Sequence, residues 1–258
     1  MTAPARSGLE VQGATVRYGG SLALEDVSLR ARADAITGLI GPNGAGKTTL
    51  FNACSGLVSL AGGSISLDGR NIGDLPPYRR AQHGLGRTYQ RMELFESLTV
   101  AGNVALAREA LHAGGNPLRH ARARSTEAAD VASAVADALE LCGLSRLADV
   151  PVAALSTGHR RLVELARTVA AGHNFLLLDE PSSGLDPAET TRFGEVLLHL
   201  VSARDVGILL VEHDMDLVMS ICEHLFVLDF GRLLCDGSPA EISHSDVVRR
   251  AYLGEEVG

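Results

Sequence analysis

Apolar and polar residues alternate along the start of the chain with the period of two that a half-buried strand requires. Leu9–Tyr18 reads this way, Tyr18-Gly19-Gly20 reads as a turn, and Ala23–Arg32 alternates again as a hairpin partner. Ala35–Ile40 is a short continuous apolar run, the pattern of a strand buried on both faces. A helix is predicted from Thr49 to near Gly56, a short strand at Ser64–Leu67, and a short helix opened by Pro76-Pro77 and carrying Arg79 and Arg80. Leu85–Gln90 returns to extended structure.

Between Met92 and Leu155 the β-branched residues thin out and Ala, Leu, Arg and Glu dominate. Thr99–Leu111 and Ser125–Cys142 read as helices, the second stopped by Gly143. The link Gly114–Arg124 is loose and locally basic, as a solvated face is. From Ser156 helices and strands alternate: Thr157–Ala171, Asn174–Asp179, Ala188–Ala203, Val206–Glu212, Asp214–Ile221 and Leu225–Asp229. That order predicts an α/β fold, a parallel sheet flanked by helices, with the helical stretch inserted into it. A late hairpin and two short helices, Pro239–Ile242 and Ser245–Tyr252, follow.

With 258 residues, 46% of them hydrophobic, the chain can bury a substantial core. A net charge of −8 argues against nucleic acid as a partner. No apolar run reaches the roughly 18 residues that span a bilayer, and Met1–Gly8 carries no apolar leader, so no secretory signal is expected. Cys54, Cys142, Cys222 and Cys235 are scattered, which predicts reduced and mostly buried thiols.

The chemistry gathers first at Gly41-Pro42-Asn43-Gly44-Ala45-Gly46-Lys47-Thr48-Thr49, a G-x-x-x-x-G-K-T run between a predicted strand and a predicted helix. Glycines let successive N–H groups converge on a polyphosphate at the positive end of the helix. Lys47 is placed to reach the β- and γ-phosphates, and the Thr48 hydroxyl to ligate Mg²⁺. Next, the apolar run Phe175–Leu178 ends in Asp179 and Glu180. Carboxylates there stand at the strand edge where open α/β sheets bind ligands. Asp179 suits the Mg²⁺ shell, and Glu180 could take a proton from an attacking water. His213 leaves the following strand at the same edge and points to the γ-phosphate. Together these predict nucleoside triphosphate hydrolysis, with ATP and Mg as cofactors. No Asn-Lys-x-Asp run speaks for GTP.

These residues resemble the ATP-binding subunit of ABC transporters, over roughly Leu9 to Gly254. Leu155-Ser156-Thr157-Gly158-His159 is similar to the family signature, usually Leu-Ser-Gly-Gly-Gln. Gln90 matches the Q-loop glutamine, Ser182–Asp186 the D-loop, His213 the switch histidine, and Tyr18 the aromatic that stacks on adenine. The resemblance implies one nucleotide-binding domain over 1–258, with a P-loop NTPase (RecA-like) core at 9–90 and 156–237 and an antiparallel β subdomain within it. A helical subdomain at 91–155 and C-terminal helices at 238–258 complete it. It also implies a head-to-tail dimer in which Ser156, Thr157, Gly158 and His159 of one copy face the ATP of the other, with Asp186 beside them. Gln90 would join Thr48 and Asp179 at Mg²⁺ and act with Glu180 and His213 in catalysis. Thr157 and His159 depart from the signature, while Ser156 and Gly158 keep its hydroxyl and backbone amide.

Gly86–Gln90, Glu93-Leu94-Phe95, Glu212–Met219 and the ending Ala251–Glu255 narrow the resemblance to branched-chain amino acid importers, a group that also serves other small polar solutes. The partners implied are a second ATPase subunit (self or paralogue), integral membrane permeases, and indirectly a solute-binding protein. Such a chain sits peripherally on the cytoplasmic face of the membrane. Met92, Leu94, Phe95 and Leu98 would grip a permease helix. An ATPase of an exporter or lipid-extracting transporter, and a soluble ABC-type regulatory ATPase, are the alternatives.

Overall fold

The computed structural model describes residues 6–89, 92–113 and 125–253. In chain order the strands are β1 (Leu9–Tyr18), β2 (Ser21–Ala31), β3 (Ile36–Ile40), β4 (Gly62–Leu67), β5 (Arg70–Asn71), β6 (Leu85–Arg87), β7 (Phe175–Asp179), β8 (Gly207–Val211), β9 (His224–Asp229) and β10 (Arg232–Gly237). The helices are α1 (Lys47–Ser55), α2 (Pro77–Gln82), α3 (Val100–Ala113), α4 (Ser125–Leu141), α5 (Thr157–Ala170), α6 (Pro187–Arg204), α7 (Met215–Ile221), α8 (Pro239–Ser243) and α9 (Asp246–Leu253). They fall into two compact units: the described residues of 1–87, 174–180 and 201–258, and those of 88–173 and 181–200.

The first unit holds two sheets. β1 and β2 pair antiparallel across the Gly19-Gly20 turn, and β4 and β5 extend the sheet in the order β2-β1-β4-β5. Leu9, Val11, Ala14 and Val16 are buried; the alternation holds on either side of a register shift between Val11 and Ala14, where it skips one residue. β2 starts at Ser21 instead of the expected Ala23, because backbone pairing runs to the turn (Tyr18 opposite Ser21) whatever the side-chain pattern. The second sheet has the order β10-β9-β3-β8-β7-β6, parallel except for β10. Every residue of β3, β7 and β8 is buried, which accounts for their unbroken apolar runs.

α1 begins at Lys47, two residues before the predicted Thr49, since Gly46 already turns the chain. It ends at Gly56, whose φ of 81° is left-handed. Its last carbonyls are held by a buried arginine. Arg80 of α2 donates to Ala53 O (2.6 Å), Cys54 O (2.7 Å), Leu75 O (2.8 Å) and Gly73 O (2.7 Å). A cation there also meets the negative end of the helix. Burial pushes the Cys54, Cys142 and Cys222 thiols up to about 12, so they stay protonated and inert.

In the second unit α3, α4 and α5 pack on one another. α3 starts at Val100, because Thr99 pairs with Pro151 and its Oγ1 caps the helix through Gly102 N at 3.1 Å. Gly143 stops α4 as predicted, at a φ of 67°. The basic link of 114–124 and Gln90 lie outside the described residues. Of the four apolar residues singled out for docking, Phe95 is exposed, while Met92, Leu94 and Leu98 are half-buried.

Arg80→Ala leaves four carbonyls without their donor. Unfolding in urea is expected to lose about 3 kcal/mol of stability. A change below about 0.5 kcal/mol, the scale of an ordinary surface substitution, would contradict the clamp.

Candidate functional site

β3 delivers the chain to its carboxyl edge at Gly41. There φ is 152°, and a Cβ would stand 2.0 Å from Leu228 O, so no other residue fits without moving the backbone. The loop then folds back on itself, with Ala45 N donating to Pro42 O at 3.2 Å. Gly231 N, from the β9–β10 turn, donates to Ala45 O at 2.9 Å and buttresses it. Asn43, Gly44 and Thr48 are exposed, Pro42, Gly46 and Thr49 half-buried, and Ala45 buried. α1 has no side-chain cap and no acid in its first turn. Its leading N–H groups therefore favour an anion.

Lys47 is buried, and its ammonium donates to Gly41 O (2.6 Å) and Pro42 O (3.0 Å). Burial lowers its pKa, and the charges of Glu180 and Asp179 oppose that shift. Lys47 follows β3 through the loop, and Asp179 and Glu180 end and follow β7; the two strands are separated by β8 in the sheet. Parallel pairing is what brings their carboxyl ends to one edge. Asp179 is buried, which raises its pKa, while the Arg87 guanidinium holds it down. Glu180 adopts a φ of 49°, uncommon for a residue with a side chain. Its N–H donates to Val211 O at 2.8 Å. Its Oε1 lies 2.9 Å from His213 Nε2. A carboxylate oxygen only accepts, so in this contact it is the Nε2–H tautomer of the imidazole that would donate. His213 is held in turn by its own N–H, which donates to Glu212 Oε2 at 3.1 Å. Tyr18 is 51% exposed at the end of β1. Hard oxygen donors at Thr48 and Asp179 suit Mg²⁺. Among the described residues no cluster of three His, Cys, Asp or Glu could hold a metal, so such an ion would depend on phosphate and water oxygens as well.

The second unit carries the other constellation. Ser156 caps α5: its Oγ accepts from His159 N at 3.3 Å, and His159 Nδ1 lies 3.0 Å from it. Glu189 Oε1 lies 3.5 Å from the same oxygen. A Cβ on Gly158 would stand 2.5 Å from that carboxylate, so a larger residue there would displace the Glu189 side chain. Asp186 and Glu189 cap α6 reciprocally, with Glu189 N donating to Asp186 Oδ1 at 2.8 Å and Asp186 N to Glu189 Oε2 at 3.3 Å. Thr157 is exposed.

Two residues escaped the sequence reading. Glu189 joins the Ser156 turn to the Asp186 turn, and its signal was the Asp-x-x-Glu spacing of a capping box. Arg87 pairs with Asp179 through Nη2 and Oδ2 at 3.2 Å. A charged residue ending an otherwise buried strand was the hint.

The family model described as ABC transporter matches residues 24–183, and that described as Branched-chain amino acid ATP-binding cassette transporter matches 232–258. The chain is 40% identical to the high-affinity branched-chain amino acid transport ATP-binding protein BraF of Pseudomonas aeruginosa, over 96% of this chain and 98% of that one. It is also 40% identical to LivG of Salmonella typhimurium, a protein of the same description, with the same coverage of each. The crystal structure of the ADP conformation of MJ1267, an ATP-binding cassette of an ABC transporter, superposes with a TM-score of 0.83 at 26% identity. That match covers 97% of this chain and 99% of the other.

The left-handed backbone at Glu180 gives a stability prediction. Glu180→Ala and Glu180→Gly both remove the carboxylate, but only glycine adopts this φ without strain. The glycine variant should be more stable by about 1 kcal/mol in urea unfolding. An alanine variant of greater stability would contradict the strain.

Proposed function

Because this chain belongs to the ATP-binding proteins of ABC transporters, ATP hydrolases coupled to transport, we propose that it powers uptake of branched-chain amino acids or a related small polar solute. The observation that carries hydrolysis is the Glu180–His213 pair at the sheet edge that also holds Lys47. The cargo is inferred from the relatives alone, since the nucleotide site has no reason to touch the solute.

The N–H groups of Gly41–Thr49 cradle the phosphates, and Tyr18 stacks on adenine. Lys47 exchanges its two carbonyl partners for the β- and γ-phosphates. Thr48 and Asp179, with Gln90, would hold Mg²⁺, which would neutralise phosphate charge. Glu180 orients a water and takes its proton as the water oxygen attacks the γ-phosphorus and the bond to ADP breaks. His213 keeps the carboxylate aimed and contacts the γ-phosphate. Left-handed strain at Glu180 fits this reading, since such backbones persist where function needs them.

One copy neutralises only part of the γ-phosphate charge. Ser156, Thr157, Gly158 and His159 complete the site on the ATP of a second copy or a paralogue, with Asp186 at the same junction. Closure then depends on ATP, and hydrolysis releases it. Among the described residues no helix is long and apolar enough to cross a membrane. By kinship with transporter ATPases, the chain docks peripherally, on the cytoplasmic face, against integral permeases to which a solute-binding protein delivers the solute. Phe95, exposed and within 5.9 Å of the Arg167 guanidinium, belongs to that docking face.

Glu180→Gln should still bind ATP, accumulate as an ATP-bound dimer and lose at least about 100-fold in turnover. Full turnover in that variant would refute the assigned base. Ser156→Ala should weaken ATP-driven dimerisation in sizing or light scattering while leaving ATP binding by the single copy unchanged. Unaltered dimerisation would remove its role across the interface.

A further inference from the structure

Arg87 ends β6 and is the last residue of the first unit before the chain enters the second. Its side chain is 8% exposed and that of Asp179 is 7% exposed. Besides the contact with Asp179 Oδ2, its Nη1 donates to Asn52 Oδ1 at 2.8 Å and to Ser55 Oγ at 2.7 Å. Its Cζ also lies 5.8 Å from the centroid of the Phe51 ring. One guanidinium thus joins three elements: β6, the last residue of β7, and the same helix α1 whose first residues are Lys47 and Thr48. Asp179 Oδ1 makes no hydrogen bond among the described residues.

A purely structural staple is a poor account of this arrangement. Desolvation of two buried charges offsets most of their attraction, and an apolar pair of similar volume would serve a core as well or better. The C-terminal end of α1 is already clamped by Arg80. What the pair does uniquely is fix one carboxylate oxygen of Asp179 and leave the other without a hydrogen bond among the described residues.

We propose that Arg87 is a positioning residue of the nucleotide site. It holds Asp179 by Oδ2, presents Oδ1 to the shell of the magnesium nucleotide, and locks that setting to the P-loop helix through Asn52 and Ser55. The rigid fork of arginine spans these three partners, whereas the point charge of lysine does not. Partners of this kind typically account for about 10–100-fold in metal affinity. The inference rests on the reading of Asp179 as a member of that shell.

The test is equilibrium binding of a fluorescent ATP analogue, in EDTA and in Mg²⁺, with melting temperature recorded in both. Arg87→Met should bind the analogue in EDTA within about twofold of the native chain and lose about tenfold or more of the gain in affinity that Mg²⁺ brings. Arg87→Lys should fall between them, and it carries the test if Arg87→Met does not fold. Equal weakening in EDTA and Mg²⁺, or an unchanged Mg²⁺ gain in both variants, would overturn the proposal. Asp179→Asn separates the two claims. If it keeps the full Mg²⁺ gain, the reading of Asp179 fails. If it loses the gain while both Arg87 variants keep it, only the role of Arg87 fails.

Discussion

Parallel pairing is the constraint on which the first unit depends. Strands that run the same way send all their carboxyl ends to one edge, so groups from β3, β7 and β8 meet although they are far apart in the chain. The Gly41–Thr49 loop, Asp179, Glu180 and His213 need no further device to come together. Their distances are set by ladder register: Leu39 opposite Val211, and Val211 opposite Asp179. Burial of those strands on both faces makes the register costly to shift.

Charge is the second theme. Three cations are bound to the P-loop helix or its loop, and each has a different employment. Lys47 rests on carbonyls of its own loop and can change partners. Arg80 is bound to four carbonyls and holds the helix. Arg87 ties an acid of the edge to that helix. An arriving polyphosphate can recruit only the first without dismantling the fold, which fits the separate duties assigned to them.

Much of this was legible from residue pattern. The G-x-x-x-x-G-K-T run marked its own loop, because few other chemistries need that spacing. Continuous apolar runs marked β3, β7 and β8 because both their faces are covered. Boundaries were less legible: β2 and α1 begin two residues early, where backbone hydrogen bonds rather than side chains decide. Arg87 and Glu189 were missed for a related reason. Each acts on a residue distant in sequence (Asp179 and Ser156), and a one-dimensional pattern carries no distance. The reading of Leu155–His159 as a signature rests on resemblance alone, and the structure adds to it only the Ser156 cap.

The most direct test of the central claim, an ATPase that drives an importer, is recovery of the tagged chain from mildly solubilised native membranes, with co-purifying chains identified. The account predicts permease-type membrane proteins together with a second ATPase subunit, and a solute-binding protein that binds branched-chain amino acids or a related small polar solute. Recovery of this chain alone from the soluble fraction, at ATP concentrations that support dimerisation, would contradict it.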